Sequence, residues 1–181
     1  LAMTQAIAMQ TFRDGGDIAQ ARERFAARMV ALGQATDLLT GDRWTGASLR
    51  GVVEQAVKPG CPEDRCTIRG PDAEITPKTA LALTLAVHEL GTNATKYGAW
   101  SGETGTVTVS WDVIERDEPR LVLEWRESGG PPCAPPRRRG FGSRLIERGL
   151  AGEMRAEVTL DFAPTGLVCR IDAPLDGKRG T

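Results

Sequence analysis

Three polar side chains at helical spacing are the residues of this chain best suited to chemistry. Glu89, Asn93 and Lys96 fall on one side of a helix at about 100° per residue. A carboxylate and an amide oxygen suit a hard cation such as Mg²⁺, whose coordination is completed by water and phosphate oxygens. A lysine beside them suits those phosphates, so the pattern predicts a nucleotide site.

The neighbouring side of the same helix leaves a second interpretation open. Leu83, Val87, Leu90 and Ala94 form an apolar stripe beside the polar residues. An ordinary amphipathic helix with a solvated polar edge has the same pattern. Spacing alone therefore does not separate a ligand site from a purely structural helix.

A second carboxylate, Glu127, lies in a strand pattern. Leu121, Leu123, Trp125 and Glu127 alternate along the sequence, so their side chains point to one face of a pleated strand. A carboxylate on that face needs donors, because an unpaired one is costly to desolvate. The exocyclic amine of adenine would supply a donor, or else Glu127 turns to water at the strand end.

Glycines on both sides of a proline- and arginine-rich loop form the third group. This loop spans residues 129–140, so that Gly129 begins it and Gly140 ends it, and Gly142 and Ser143 follow. The later residues open a predicted helix, whose free N–H groups and dipole would face a phosphate. Three arginines at positions 137–139 would contact a triphosphate or form a solvated basic loop.

The elements that position these residues predict an α+β fold. Thr76 and Pro77 are a strong helix start, and this helix is expected to reach Tyr97, with Gly98 ending it in a left-handed conformation. Thr45 is expected to cap a short helix before it. The remaining predictions are a strand over 66–69, a hairpin of 106–111 with 121–127, a helix over 141–151, and a hairpin of 156–162 with 167–174.

The first forty residues differ from the rest. They predict two helices, over residues 1–12 and 18–39, joined by a turn around Gly15 and Gly16. An apolar residue recurs every seven positions in the second helix, as in a coiled coil. An antiparallel hairpin of this kind has little core of its own, so it packs against a second copy, against a partner, or back onto its own domain.

Composition limits the class of protein. The chain has 181 residues, 40% of them hydrophobic, and 23 basic against 24 acidic side chains for a net charge of −1. It is long enough for one domain and a small accessory element, and its charge balance indicates neither a nucleic-acid partner nor an anionic membrane. No signal sequence or run of about 20 apolar residues is evident, so a cytoplasmic location is expected.

The four cysteines do not predict a metal site. Only Cys61 and Cys66 are close in sequence, and the four residues between them do not give the spacing typical of a zinc knuckle. No histidine is near them. We expect reduced structural thiols.

Three ordered motifs resemble one family. HELGTNATKYGAWS, from His88, resembles the N box of GHKL ATPases and histidine kinases, whereas WRESGGPP, from Trp125, and RRRGFGSRLIERGLAGEM, from Arg137, resemble the nucleotide-lid region of the HWE-type sensor histidine kinases. The resemblance covers nearly the whole chain. It implies a truncated dimerisation and phosphotransfer hairpin over residues 1–43, followed by a two-layer α/β sandwich of the Bergerat ATP-binding type over residues 44–181.

The resemblance also implies the roles of individual residues. Asn93 would ligate Mg²⁺, and Glu89 would act beside it at the cation and polarise groups around the γ-phosphate. Lys96 would contact phosphate, and Tyr97 would line the pocket. Glu127 would accept a hydrogen bond from the adenine amino group, and Gly129 would allow close approach of the backbone to the nucleotide. Gly140, Gly142 and Ser143 would close the lid near the phosphates.

The acceptor histidine of these kinases is missing from the sequence. His88 is the sole histidine and lies about 100° around the helix from Glu89, so we expect it to have a packing or hydrogen-bonding role. The family's acceptor lies just upstream of the stretch that matches residues 1–12, so we expect a fragment of a longer kinase. Such a kinase would have an upstream sensor domain and would pass phosphate to a response regulator.

Two other functions share parts of this pattern. A related phosphotransferase or regulatory docking module would keep the fold without hydrolysing ATP, although such relatives usually lose the asparagine that is Asn93 here. A GHKL ATPase of the gyrase or chaperone kind would share Glu89 and Asn93. It would also need a downstream transducer domain, and only seven residues follow Pro174.

Overall fold

The structure is a computed structural model that describes residues 46–115, 117–135 and 150–175, together with Ala26, Met29, Gly33 and Ile146. The three early residues are helical. The predicted helical hairpin, with its heptad pattern, otherwise lies outside the described residues, and so do the last six residues of the chain.

Helices and strands alternate in an α+β arrangement. The helices are α1 (Leu49–Val57), α2 (Pro77–Lys96) and α3 (Leu150–Met154), and a short 3-10 helix spans Ala99–Ser101. The strands are β1 (Ala47–Ser48), β2 (Cys66–Arg69), β3 (Glu74–Ile75), β4 (Thr106–Ile114), β5 (Arg120–Ser128), β6 (Glu157–Ala163) and β7 (Gly166–Pro174). Among the described residues, no helix is both long and apolar enough to cross a bilayer.

A five-stranded sheet is the framework of the fold. Its strand order is β2-β4-β5-β7-β6, with β2 parallel to β4 and the other neighbours antiparallel. Both predicted hairpins, β4–β5 and β6–β7, are confirmed, and β4 is three residues longer than its alternation predicted. The strands β1 and β3 form a separate two-stranded sheet.

One face of the large sheet forms a hydrophobic core with the helices. Alternate residues of β4, β5 and β7 are buried on this face, and the residues between them are more exposed. The predicted apolar stripe of α2 is confirmed, because Leu83, Val87, Leu90 and Ala94 are all fully buried. The other side of α2 is thereby turned away from the sheet.

The start of α1 differs from the prediction. Ser48, not Thr45, caps this helix, and its hydroxyl accepts a hydrogen bond from the Gly51 N–H at 3.4 Å. Ala47 and Ser48 form β1 and pair with the residues of β3. The chain is therefore extended up to Ser48 and cannot turn into a helix earlier.

The start of α2 agrees with the prediction. The Thr76 hydroxyl accepts from the Thr79 N–H at 3.3 Å, and Pro77 occupies the first helical position. This position leaves a backbone donor unpaired in any residue, so proline loses nothing there. The helix start predicted at Thr76 and Pro77 is therefore confirmed.

The predicted end of the last helix at residue 151 was wrong. The helix α3 continues to Met154, because Leu150 and Met154 lie four residues apart and both bury their side chains, at 1% and 4% exposure. The predicted start at residue 141 lies outside the described residues.

Candidate functional site

The polar side of α2 presents its three predicted residues at increasing exposure. Glu89 is buried at 6% exposure, Asn93 is half-buried, and Lys96 is exposed in the last turn. Tyr97 follows as the C-cap and is 68% exposed. The carboxylate is thus the innermost group of this face, and the ammonium and the phenol ring lie at its rim.

The sole histidine lies on another part of α2. His88 lines a shallow groove of about 180 Å³ between α2 and the end of α1, together with Val57, Gly60 and Thr92. Lys96 also borders this groove. The ammonium therefore lies between the groove and the predicted phosphate side, whereas the helical positions of Glu89 and Asn93 are turned further around the helix.

The carboxylate of Glu127 is buried, at 5% exposure, on the same sheet face as Leu121, Leu123 and Trp125. The shared face is thereby confirmed, and the alternative in which Glu127 turns to water was wrong. One carboxylate oxygen, Oε2, accepts from the Ala99 N–H at 2.8 Å, and the other, Oε1, accepts from the Trp125 indole N–H at 3.2 Å.

These contacts set the protonation of Glu127. Burial raises the pKa of this carboxyl above its ordinary value, and the bonds from Ala99 and Trp125 oppose the shift by favouring the charged form. Each oxygen has a second lone pair that its protein donor does not use. The group is therefore a desolvated acceptor whose two oxygens can each accept a further donor.

The spacing of the Trp-x-Glu element has a direct geometric cause. Residues two apart on a strand share a face, so the Trp125 indole reaches the carboxylate of Glu127 next to it. The Trp125 ring also packs edge-to-face against Trp100, with ring centroids 5.7 Å apart and planes at 73°. Trp125 thus ties the carboxylate to the core.

Gly98 ends α2 for a different reason from the one predicted. Its φ is −110°, so the predicted left-handed conformation was wrong. Its N–H donates to the Asn93 and Ala94 carbonyls, both at 3.1 Å. A Cβ on Gly98 would overlap the Glu127 carboxylate and lie 3.0 Å from the Ala94 Cα, so glycine is needed for the close approach of Glu127 to the last turn of α2.

The backbone conformation at Gly129 itself favours glycine. Its φ is +69°, in the left-handed region that side chains disfavour. It directly follows β5, two residues after Glu127, and its carbonyl accepts from the Thr104 hydroxyl at 3.4 Å. The chain thereby leaves the sheet beside the buried carboxylate, and the close backbone approach of Gly129 to a nucleotide stays a prediction.

Arg65 and the segment 99–105 were missed by the sequence analysis. The guanidinium of Arg65 donates to the carbonyls of Gly105 at 2.7 Å and Ala99 at 2.8 Å. The residues Ala99 and Trp100 belong to the quoted N-box motif, but the motif alone assigned them no role. Arg65 carried no signal, since it was one charged residue of the loop between two cysteines.

The structure brings Glu127 to the C-terminal end of α2, beside the turn that carries Asn93. The predicted lid residues Gly140, Gly142 and Ser143, and the three arginines before them, lie outside the described residues. The described part of the site therefore consists of two halves. We call the polar face of α2 (Glu89, Asn93, Lys96) the helix half, and Glu127 with Ala99 and Gly129 the strand half.

Comparisons with known proteins agree with the motifs. A family model described as HWE histidine kinase matches residues 1–72. A blue-light-activated histidine kinase from Brucella anthropi is 43% identical over 178 residues, which are 97% of this chain and 36% of that protein. A protein of the same name from Brucella ovis is 39% identical over the same shares. The chain thus spans 36% of the length of these curated relatives.

A solved structure shows the same fold. The histidine kinase domain of the Erythrobacter litoralis EL346 blue-light activated histidine kinase matches with a TM-score of 0.63 at 20% identity, over 96% of this chain and 83% of that chain. The predicted α+β catalytic-domain fold is confirmed by this match and by the five-stranded sheet. With the motifs and the sequence relatives, these findings confirm the resemblance of this chain to the HWE histidine kinases.

Proposed function

We propose that this chain is the ATP-binding region of a sensor histidine kinase, which binds Mg²⁺ and ATP and supplies the γ-phosphoryl group for transfer to a histidine. One observation carries the proposal: the buried carboxylate of Glu127 meets the end of the helix whose polar face carries Glu89 and Asn93. This arrangement supports a site in which Glu127 accepts a hydrogen bond from the base and the nearby polar face of α2 binds the cation.

The strand half suits the base of the nucleotide. Glu127 retains acceptor capacity in a desolvated place, where a hydrogen bond to an amino group contributes more than it does in water. A 6-oxo base would instead bring a carbonyl oxygen against the carboxylate. We therefore assign adenine recognition to Glu127, with close backbone approach at Gly129.

The helix half suits the cation and the phosphates. The amide oxygen of Asn93 and the carboxylate of Glu89 are one turn apart on α2, a donor set that fits Mg²⁺ bound by one or two protein oxygens, water and phosphate. Lys96 at the exposed rim is assigned to a phosphate oxygen, and Tyr97 to the pocket wall. Gly140, Gly142 and Ser143 are assigned to the lid over the phosphates.

Phosphoryl transfer requires positioning and charge stabilisation more than covalent chemistry by the protein. In our proposal Asn93 and Glu89 hold the cation that neutralises charge on the γ-phosphoryl group, and Glu89 polarises the groups around it. The acceptor is a histidine upstream of Leu1, and His88 has a packing role. The phosphoryl group then passes to a response regulator.

The remaining parts of the proposal concern the organisation of the protein. Residues 1–43 form a helical hairpin that resembles a dimerisation and phosphotransfer domain, and residues 44–181 form the ATP-binding domain. A homodimer through residues 1–40 and an upstream sensor domain complete the assembly. A cytoplasmic location fits the substrate, because ATP is abundant there.

Transfer is tested with the full-length protein and ATP labelled in the γ-phosphate. We expect label to appear on the protein in an acid-labile, base-stable form typical of phosphohistidine, and to be lost in the Asn93→Ala variant. The His88→Gln variant should retain label. Label on His88 itself, or none in full-length protein that binds ATP, would contradict the proposal.

A docking module without kinase activity is the alternative, and nucleotide binding separates it from the proposal. Such a module would keep the fold but would not need a carboxylate buried beside a cation site. If the folded chain binds no Mg²⁺-ATP, the docking function is the better account.

A further inference from the structure

One side chain fastens both ends of the segment 99–105. The Arg65 Nε donates to the Gly105 carbonyl at 2.7 Å, and an Nη donates to the Ala99 carbonyl at 2.8 Å. Both bonds come from a charged donor, so they are stronger than neutral hydrogen bonds. The rigid fork of the guanidinium fixes the two carbonyls relative to each other.

The main chain of Arg65 binds the same region. Its carbonyl accepts from the Val107 N–H at 3.0 Å and from the Trp100 indole N–H at 3.2 Å. Arg65 immediately precedes β2, whose first residue pairs with Val107 of β4. It is thus anchored by the sheet on one side and holds residues 99–105 on the other.

This segment delivers the donor that orients Glu127. The Ala99 N–H lies 2.8 Å from Oε2 of Glu127, and the Ala99 carbonyl is held by Arg65. A displacement of Ala99 by about 1 Å would lengthen the hydrogen bond from its N–H to Glu127 beyond useful range. The carboxylate would then lose one of its two fixed donors while still buried, which favours its neutral form.

We propose that Arg65 is a positioning residue for base recognition: it holds Ala99 where its N–H orients the Glu127 carboxylate toward the amino group of adenine. This inference rests on the proposed function. It assigns Arg65 a role in selecting the base and none in holding the phosphates. The guanidinium bonds the carbonyls of Ala99 and Gly105, and the Arg65 carbonyl accepts from Trp100 and Val107; these four residues lie outside α2.

The test compares two nucleotides that differ at one position of the base. Inosine triphosphate carries a carbonyl oxygen where ATP carries the amino group, and its triphosphate is the same. Calorimetry with Mg²⁺ gives the dissociation constants of both for the wild-type chain, for Arg65→Met and for Arg65→Lys. Circular dichroism and urea unfolding show whether each variant is folded.

We expect Arg65→Met to weaken ATP binding about 10-fold and inosine triphosphate binding less than about 2-fold, so that selectivity for ATP falls about 5-fold or more. Lysine retains one charge-assisted bond, so Arg65→Lys should lose part of the selectivity. The matched control is Arg126→Met, which removes an exposed arginine that pairs with Glu124 at 3.0 Å on the opposite face of β5. It should leave both constants unchanged.

The outcomes distinguish this inference from the proposed function. If the wild-type chain binds no ATP, the proposed function fails and the inference with it. If the chain binds ATP but Arg65→Met weakens both nucleotides equally or neither, the proposed function stands and the positioning role is refuted. Should Arg65→Met fail to fold, unchanged selectivity in Arg65→Lys would refute it as well.

Discussion

The helix half and the strand half of the candidate site are built in different ways. The helix half comes from one continuous element, since Glu89, Asn93 and Lys96 follow one another along α2. The strand half joins two distant parts of the chain, because the Glu127 carboxylate accepts from Ala99, and a third part supports it, because Arg65 holds the Ala99 carbonyl. The first half depends on helical periodicity, and the second depends on the tertiary fold.

This difference predicts how each half responds to change. A substitution at Asn93 or Lys96, the two more exposed positions of the helix half, leaves α2 intact, so it should alter binding with little change in stability. A substitution in the strand half disturbs a buried hydrogen-bond network, in which an unsatisfied partner costs free energy. Such a substitution should alter binding and stability together.

The largest effect is expected from Asn93→Ala. Loss of the amide oxygen removes a proposed Mg²⁺ ligand, so we expect Mg²⁺-ATP affinity to fall roughly 100-fold or more, with little change in the urea midpoint. Calorimetry and urea unfolding give the two values. The matched control is Thr95→Ala, an exposed position on the groove side of the same turn, which should bind ATP as the wild-type chain does.

Gly98→Ala tests the contact between the two halves. The new Cβ would overlap the Glu127 carboxylate, so we expect a loss of roughly 2 kcal/mol in the free energy of unfolding, as for other overpacked sites. Gly102→Ala is the control, because a Cβ there meets nothing within 4 Å. Equal stabilities of the two variants in urea unfolding would show that the close approach of Glu127 is wrong.

Glu127→Gln should reduce the preference for adenine. The amide has one acceptor oxygen where the carboxylate has two, so either Ala99 or Trp125 loses its partner. We expect ATP affinity to fall about 10-fold and inosine triphosphate affinity to fall less. Competition binding with the two nucleotides measures the ratio, and an unchanged ratio would remove Glu127 from base recognition.

The protonation of Glu127 gives the same preference a pH dependence. Burial raises the pKa of this carboxyl, so it takes up a proton at a higher pH than an exposed glutamate does. The preference for ATP over inosine triphosphate should be complete above this raised pKa and should decline as the pH falls through it. Glu127→Gln should show no such decline when the ratio is measured from about pH 7.5 to about pH 5.

The smallest effect is expected from Lys96→Met. The ammonium is exposed, and solvent and salt screen its attraction for phosphate. We expect Lys96→Met to lower ATP affinity about 3-fold at low ionic strength. The difference between the variant and the wild-type chain should shrink as salt is added. A loss as large as that of Asn93→Ala would mean that Lys96 is buried by the bound nucleotide.

The sequence predicted the parts of the fold that depend on local patterns. The Thr76 cap, the buried stripe of α2 and both hairpins follow from capping and from periods of 3.6 and 2, and all are confirmed. The failures are tertiary in origin. Ser48 caps α1 because β1 pairs with β3, and Gly98 is constrained by a carboxylate 29 residues later in the chain.

The candidate site follows the same rule. The shared side of its helix half was predicted from spacing and the buried face of Glu127 from the alternation of β5, whereas their ligand roles came from the family resemblance and stay predictions. Arg65 and Ala99 had no local signal, because their roles come from hydrogen bonds to residues 34 to 40 positions away and 28 positions away, respectively. Roles of this kind can be assigned only when the tertiary structure shows which distant segments contact each other.

The most direct test of the central claim is a titration of this chain with ATP, with and without Mg²⁺. We expect saturable binding of one ATP per chain, weakened at least 10-fold when the cation is chelated and competed by ADP more strongly than by inosine nucleotides. A folded chain that binds no ATP, or binds it equally well without Mg²⁺, would contradict a site made of a cation-binding helix face and a base-binding carboxylate.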